Sequence, residues 1–115
     1  QASIVVAQSW NIQVVDSDGE FSSWTSLELD SSGHPHISYC LIPYFDLRYA
    51  EWNGSEWEIA IVDSTGETGC QTSLDLDYND LPHIAYIDYD TESVNYACWN
   101  GSVWTVYVID QERPA

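Results

Sequence analysis

A 47-residue repeat constrains this chain more than any other feature of its sequence. Trp10, Trp57 and Trp104 are separated by 47 residues each, and an aspartate follows each tryptophan six residues later. Aligning residues 10–63 with residues 57–110 gives 24 identities in 54 positions without a gap. A repeat of 40–50 residues is typical of folds in which similar units stack on one another. The sequence therefore predicts two tandem copies of one structural unit.

Each copy contains four short segments with the pattern of β-strands. In residues 25–30 apolar and polar side chains alternate, as a strand with one buried face requires. Asn53-Gly54 and Asn100-Gly101 lie between the last two segments of each copy, and Asn-Gly is a strong hairpin signal. The predicted strands are 25–30, 35–39, 47–52 and 57–63 in the first copy, and 72–77, 82–86, 94–99 and 104–110 in the second.

Several short sequence strings that the two copies share resemble the blades of bacterial and archaeal extracellular β-propeller repeat proteins. The strings are Ser-Leu-x-Leu-Asp, Pro-His-Ile-x-Tyr, Tyr-Ala-x-Trp-Asn-Gly-Ser and Trp-x-x-x-x-Val-Asp, and they cover nearly all of the chain after residue 9. The resemblance implies an all-β fold of two tandem four-stranded antiparallel blades. It implies no particular function, because propellers host many activities. Closed propellers usually have four to eight blades, whereas this chain has two.

The strand count predicts one strand more than two blades need. Residues 10–16 match the fourth strand of the repeat without the three strands that should precede it, and residues 3–7 are also β-prone. We therefore expect a single β domain over residues 1–115. Its predicted parts are an N-terminal strand segment (1–24) with the surplus fourth strand, blade 1 (25–63), an inter-blade link (64–71), blade 2 (72–110) and a tail (111–115).

The charge of the chain excludes several classes of partner. Nineteen acidic residues face only Arg48 and Arg113, and the net charge is −17. Such a chain repels phosphate groups, so we expect neither nucleic acid nor an anionic membrane as a partner. High salt, bound cations or a low pH would each relieve the self-repulsion, and the sequence does not choose among them.

The sequence predicts a secreted or cell-surface location. It contains no methionine, begins with Gln1, and has no apolar run approaching the roughly 18 residues that span a bilayer. Three cysteines, Cys40, Cys70 and Cys98, occupy non-equivalent positions of the repeat. An odd number in a secreted chain predicts one disulfide plus a free thiol, or an intermolecular bond. The alternative to a secreted protein is a fragment of a longer propeller.

No motif predicts an enzyme, a resident cofactor or a metal site. His36 and His83 are equivalent in the repeat, and because an active site is rarely duplicated, we expect each to bond a neighbouring turn. The acidic runs 16–20 and 88–92 carry oxygen ligands that suit Ca²⁺, but neither has the spacing of an EF-hand loop. Calcium is thus the one cofactor left open, and it is not the expected outcome.

Two further sets of residues are candidates for surface chemistry. Asn53 and Asn100 satisfy the N-glycosylation sequon, although each also fits the hairpin turn. Aromatic residues that recur in both copies are expected to pack between blades. Those that do not recur are the predicted ligand-binding residues, namely Trp24, Tyr44, Phe45, Tyr78, Tyr89 and Tyr107.

Incomplete blades favour self-association as the function. Repeat units need neighbours on both sides, so two blades leave apolar faces uncovered. The first hypothesis is a secreted structural protein that assembles head to tail into a ring or filament by strand donation. The predicted donor residues are Ile4, Val5, Val6, Trp10, Ile12, Val14 and Val15. The alternative hypotheses are a carbohydrate-binding, lectin-like module and a fragment of a longer propeller.

Overall fold

The computed structural model describes residues 9–111, which fold into eight β-strands and no helix. No helix in this range is therefore long and apolar enough to cross a membrane. The strands are β1 (Phe21–Leu29), β2 (Pro35–Ile42), β3 (Asp46–Trp52), β4 (Trp57–Asp63), β5 (Cys70–Leu76), β6 (Pro82–Asp88), β7 (Ser93–Trp99) and β8 (Trp104–Gln111).

The strands form two four-stranded antiparallel sheets, one from each copy of the repeat. Sheet 1 has the order β1-β2-β3-β4 and sheet 2 the order β5-β6-β7-β8, so every strand pairs with its neighbour in sequence. The Asn-Gly turns join the last two strands of each sheet. In the first turn, the Asn53 Oδ1 atom accepts the backbone N–H groups of Ser55 and Glu56 at 2.8 and 2.9 Å. The predicted all-β class and the two tandem four-stranded sheets are confirmed.

The first strand of each sheet begins earlier than the sequence predicts. Strand β1 starts at residue 21 rather than 25, and β5 at residue 70 rather than 72, so the link between the sheets is shorter than residues 64–71. A bulge interrupts each strand, with Trp24 (φ 53°) and Gln71 (φ 51°) in the left-handed region. A bulge breaks the alternation of side chains, so the sequence shows the alternating pattern of a strand only in the residues that follow the bulge.

The two sheets pack face to face through an apolar core. Leu47 and Tyr49 of β3 lie against Leu74, Ile84 and Tyr86 of sheet 2, and all five are at most 5% exposed. We call the face of sheet 2 that carries Leu74 its front face, and the face of sheet 1 that carries Leu47 its rear face. This front-to-rear contact buries one apolar face of each unit.

The other two faces lack this cover. On the front face of sheet 1, Leu27 is 59% exposed, although Leu74 at the same repeat position is 4% exposed. On the rear face of sheet 2, Tyr107 and Ile109 are 50% and 63% exposed. Of their counterparts in sheet 1, Val62 packs against the core cluster between the sheets and Ala60 lies at its edge, in the lining of an inter-sheet cavity. Each sheet therefore has an apolar face that the described chain leaves partly exposed.

The surplus strand predicted at residues 10–16 is not a strand in the structure. In this repeat the fourth strand pairs with the third strand, and the described residues contain no third strand that could pair with residues 10–16. Residues 13–16 instead lie on sheet 1. Val15 packs against its front-face cluster, the Trp57 Nε1–H donates to Gln13 Oε1 at 3.0 Å, and the Tyr39 hydroxyl donates to Asp16 Oδ2 at 2.7 Å.

This segment nevertheless occupies the place of a fourth strand. The Tyr86 hydroxyl donates to Asp63 Oδ2 at 2.6 Å, which reproduces the bond between Tyr39 and Asp16 one repeat earlier. Of the predicted donor residues, Trp10, Ile12 and Val14 are exposed and Val15 is docked on its own sheet. Residues 4–6 lie outside the described part, and donation to another copy stays a prediction.

Candidate functional site

A cleft of about 320 Å³ opens between the two sheets at the ends that carry the Asn-Gly turns. One wall comes from β3 and β4 of sheet 1, and the other from the turn before β6 and the last hairpin of sheet 2. The lining residues are Tyr49, Glu51, Glu58, Ile59, Ala60, Asp80, Leu81, Pro82, Trp99 and Trp104. In this cleft, aromatic rings and carboxylates from both repeats meet.

Three aromatic rings form the apolar part of the cleft. Trp99 and Trp104 are cross-strand partners in β7 and β8, and their ring centroids are 5.7 Å apart at an interplanar angle of 51°. Tyr49 meets Trp104 edge to face at 5.4 Å and 70°. Edge-to-face pairs of this kind stabilise each other beyond their buried area, so the rings hold a fixed shape.

Three carboxylates form the polar part. Glu51 and Glu58 lie directly opposite each other in β3 and β4. The Asn53 side-chain amide donates to Glu58 Oε1 at 2.6 Å. Asp80 belongs to sheet 2 but accepts the backbone N–H of Ser31 at 3.0 Å and the Ser31 hydroxyl from sheet 1. Two like charges opposite each other in a sheet destabilise it, so the Glu51–Glu58 pair is a local cost that a hydrogen-bond donor would offset.

A buried hydrogen-bonded network fixes Tyr49 from behind the cleft. Its hydroxyl bonds His36 Nδ1, and His36 Nε2 lies 2.8 Å from Asp30 Oδ2. The hydrogen bond from His36 holds the pKa of Asp30 below its usual value, and burial raises the pKa of Tyr49. The same network recurs in sheet 2 through His83, 2.9 Å from Asp77 Oδ2. The expectation that both histidines bond neighbouring turns is confirmed.

The carboxylates of the cleft do not recur in the repeat. Trp52 and Trp57 form the same aromatic pair in sheet 1, with ring centroids 5.7 Å apart. However, the positions of Glu51, Glu58 and Asp80 correspond to a cysteine, a threonine and a glycine in the other copy, namely Cys98, Thr105 and Gly33. The acidic character therefore belongs to the inter-sheet cleft and not to the repeated unit.

The predicted ligand-binding aromatics lie elsewhere and are not brought together in the cleft. Phe45 packs beside Cys40 and Cys70, and Arg48 lies 5.6 Å over the Tyr44 ring. Trp24 and Tyr78 are exposed, the Tyr89 hydroxyl accepts from Gln71, and Tyr107 lies on the open rear face of sheet 2. A role in binding remains a prediction for each of them. The sequence does not predict the cleft, because its tryptophans recur in both copies and recurring aromatic residues are expected to pack between blades.

The acidic runs considered for calcium have other partners. Arg48 Nη1 lies 3.2 Å from Asp16 and 3.1 Å from Asp18, and its Nε is 3.1 Å from Asp46. In the second run, Asp88 Oδ1 accepts the backbone N–H groups of residues 90 and 91. Within residues 9–111, no group of three or more His, Cys, Asp or Glu side chains is arranged to hold a metal ion.

The remaining candidates are the two glycosylation sites and the three cysteines. Asn53 and Asn100 are exposed in their turns, where each side-chain oxygen accepts two backbone N–H groups. All three cysteines are thiols in the structure, and the expected disulfide stays a prediction. Cys40 and Cys70 are nevertheless neighbours, whereas Cys98 lies on the rear face of sheet 2.

Comparison with known proteins relates the fold of this chain to that of a lectin. No family model matches the sequence, and no curated protein matches it. A fucose lectin has a similar structure. That lectin comes from Kordia zhangzhouensis and was solved in complex with methyl-fucoside; the match has a TM-score of 0.50 at 26% sequence identity. It covers 79% of this chain and 65% of the lectin chain, so this chain spans about two thirds of the lectin's length.

Proposed function

We propose that this protein is a carbohydrate-binding module of the lectin kind and that a sugar binds in the inter-sheet cleft. The observation that carries the proposal is the meeting of Trp99 and Trp104 with three carboxylates in one opening of about 320 Å³. The similarity to the fucose lectin supports the same class of ligand.

Each part of the cleft suits one part of a sugar. A sugar ring has an apolar C–H face, which packs against an aromatic ring such as Trp99 and loses little entropy because the ring is rigid. Sugar hydroxyls donate hydrogen bonds, and carboxylate oxygens are strong acceptors. Hydroxyls placed between Glu51 and Glu58 would bond both groups and relieve the repulsion between them.

The module binds and does not transform its ligand. The described residues contain no Gly-x-Ser-x-Gly motif, and the carboxylates of the cleft serve as hydrogen-bond acceptors. We propose a secreted or surface location, where glycans are available. Binding that leaves the glycan intact, as judged by mass spectrometry of the recovered ligand, is the expected result; release of a shortened sugar would contradict this part of the proposal.

Titration calorimetry with methyl-fucoside, after a screen on a glycan array, tests the proposal. Trp99→Ala should weaken binding at least about tenfold, because the sugar loses its aromatic platform. Trp52→Ala is the matched control, since Trp52 forms the same cross-strand pair outside the cleft. An array on which the wild-type protein binds no glycan contradicts the proposal, as does equal binding by the two variants.

A second pair of variants separates the role of the carboxylates from that of the rings. Glu58→Gln keeps the size of the side chain and removes its charge, so we expect weaker binding of the sugar. Glu56→Gln removes a charge two residues away, in the exposed turn, and should leave binding unchanged. Thermal unfolding of both variants shows whether the fold is preserved. A binding loss of the same size in both variants would indicate a general charge effect rather than a contact.

The uncovered sheet faces favour a second function, self-association. We propose that the rear face of sheet 2 docks on the front face of sheet 1 in a second copy. This contact would repeat the one already present inside the chain, where Leu74 is buried against sheet 1 while Leu27 at the same repeat position is exposed. Strand β8 of the first copy would take the place that residues 10–16 of the second copy now hold.

Such a contact joins different faces, so it propagates from copy to copy. Copies related by a rotation that closes would form a ring of propeller type, and other rotations would form a filament. Light scattering on a size-exclusion column should give multiples of 13 kDa. Leu27→Asp should reduce the mass to that of one chain, because it places a charge in the contact.

The control for this variant is Ile61→Asp. Ile61 is also exposed on sheet 1, but its counterpart Val108 stays exposed although the front face of sheet 2 is covered. The control should therefore assemble like the wild-type protein. A wild-type mass of 13 kDa at every concentration contradicts self-association and leaves the carbohydrate proposal intact.

A further inference from the structure

Two cysteine side chains meet in the interior, between the sheets. Cys40 lies in β2 of sheet 1 and Cys70 begins β5 of sheet 2, and their Sγ atoms are 3.9 Å apart. Both residues are fully buried, and Ile42 and Phe45 pack around them. The Thr68 carbonyl oxygen accepts from both thiols, at 3.6 and 3.8 Å, so the two sulfur atoms point to the same spot.

We propose that Cys40 and Cys70 form a disulfide that joins sheet 1 to sheet 2, and that Cys98 remains a thiol. Bond formation removes two electrons and two protons from the thiols. A small disulfide such as glutathione disulfide accepts them: one cysteine thiolate attacks it and expels a thiol, and the second cysteine then displaces the other. The products are the protein disulfide and two molecules of reduced glutathione.

Cys98 is not an alternative partner in the folded chain. It lies in β7, next to Ala97, which packs in the core between the sheets. Successive side chains of a strand point to opposite faces, so Cys98 points away from sheet 1. It is cross-strand to His83 on the rear face of sheet 2. The three cysteines thus separate into an inter-sheet pair and a single thiol.

The burial of the pair indicates when the bond forms. Burial is the main reason that the pKa of the Cys40 thiol is raised to about 12, and the nearby Cys70 thiol is the second reason. Burial also raises the pKa of the Cys70 thiol. The thiolate is the reacting species, so the folded, reduced protein reacts slowly with an oxidant. The bond therefore forms while the sheets are coming together, in an oxidising compartment, and resists reductants afterwards.

The bond would stabilise the contact between the sheets. It closes a loop that contains β3, β4 and the link to sheet 2, which lowers the entropy of the unfolded chain. For a loop of this length in a domain of this size, the midpoint of thermal unfolding should rise by on the order of 10 °C on oxidation. The two sheets would then stay linked through Cys40 and Cys70 even where the contact between them opens.

The position of Arg48 between Cys40 and Cys70 makes the pairing easy to map. The protein is refolded with a mixture of reduced and oxidised glutathione, its free thiols are blocked, and it is digested with trypsin without reduction. Cleavage after Arg48 separates Cys40 from Cys70 and Cys98. The two fragments should stay joined until a reductant is added. Digestion after Glu92 then separates Cys70 from Cys98 and identifies the partner.

The variants decide between the outcomes. Cys98→Ser should form the same bond and show the same rise in the thermal midpoint, whereas Cys70→Ser should release the two fragments without reduction. Blocking of denatured, oxidised wild-type protein should label one cysteine. Fragments that separate without reductant, three labelled cysteines, or a bond that contains Cys98 would each overturn the proposal, and the mapping on wild-type protein needs no variant to fold.

Discussion

At the scale of single residues, the same three side chains behave differently in the two copies of the repeat. The Asp30–His36–Tyr49 network is closed from solvent, with the His36 side chain 3% exposed, whereas the side chain of His83 in the Asp77–His83–Tyr96 network is 34% exposed. The difference follows from position, since sheet 2 covers the first network and no described element covers the second. Equal sequences therefore give networks of unequal strength.

Asp30→Asn should destabilise the protein in a pH-dependent manner. The pKa of Asp30 is below its value in the unfolded chain because His36 donates to its charged form, so the carboxylate stabilises the fold above about pH 4. This stabilisation is lost as the pH falls through the lowered pKa. The variant should lose about 1–2 kcal/mol of unfolding free energy at pH 7 and progressively less in acid. Urea unfolding at several pH values measures both.

Asp77→Asn is the control for this prediction. It removes the same hydrogen bond from the open network, where solvent screens the interaction, so its loss at pH 7 should be smaller. Equal losses for the two variants, or a loss at Asp30 that does not change with pH, would contradict the argument from burial.

The sequence predicted the role of the histidines but not the whole network. Pro-His-Ile in both copies indicated a strand residue bonded to a turn, and the structure agrees. The bond to Tyr49 required the register of β2 against β3, which a sequence pattern does not define. The cleft was missed for a related reason: Glu51 and Glu58 become neighbours only once β3 and β4 are paired.

At the scale of strands and turns, the close approach of the link to sheet 1 depends on glycine. Gly69 has a φ of 78°, and a Cβ atom built on it would lie 2.5 Å from the Leu47 Cα. Backbone atoms cannot move aside as the end of a side chain can, so β5 could not begin at residue 70 with any other residue at this point. The sequence showed a glycine in the link but not what it contacts.

Gly69→Ala should destabilise the fold strongly. It combines an unfavourable φ with a backbone clash, so we expect a loss of about 3 kcal/mol or more. Gly101→Ala is the matched control: its φ is 101°, but a Cβ atom there would have no neighbour within 4 Å. It should lose only about 1 kcal/mol, from backbone strain. Similar denaturation midpoints for the two variants would contradict the clash.

Strand prediction succeeded where the alternation of side chains was intact and failed in two kinds of place. Bulges hid the beginnings of β1 and β5, because a left-handed residue at Trp24 or Gln71 disturbs the alternation. At residues 10–16 the pattern was that of a strand, but a strand also needs a partner, and the described chain provides none there. The alternation of side chains indicates which secondary structure a segment prefers, but whether that segment pairs as a strand depends on the rest of the fold.

At the scale of the whole molecule, charge repulsion opposes folding. Nineteen acidic residues are spread over the chain, and Arg48 is already surrounded by Asp16, Asp18 and Asp46. The other acidic residues therefore have little positive charge to pair with. Salt screens this repulsion over a distance of about 10 Å at 0.1 M and 3 Å at 1 M.

Sodium chloride should accordingly stabilise the protein. Raising its concentration to about 1 M should increase the midpoint of thermal unfolding by several degrees, because screening acts mainly on the folded state, where the charges are closer. Calcium chloride at the same ionic strength should give the same increase, since the described residues form no metal site. A larger, saturable increase with calcium at micromolar concentration would instead indicate a bound cation.

The left-handed residues have a consequence for how such a chain can change in length. Trp24 and Gln71, in the bulges of β1 and β5, occupy matching positions of the repeat, and so do Phe45 and Glu92, which precede β3 and β7. Each of these bends is therefore encoded inside the repeated unit. Copying a stretch of 47 codons would therefore insert a complete repeat unit together with its own bends. Genes that encode such repeats can lengthen or shorten by whole repeat units, and the bends within each unit need no new sequence.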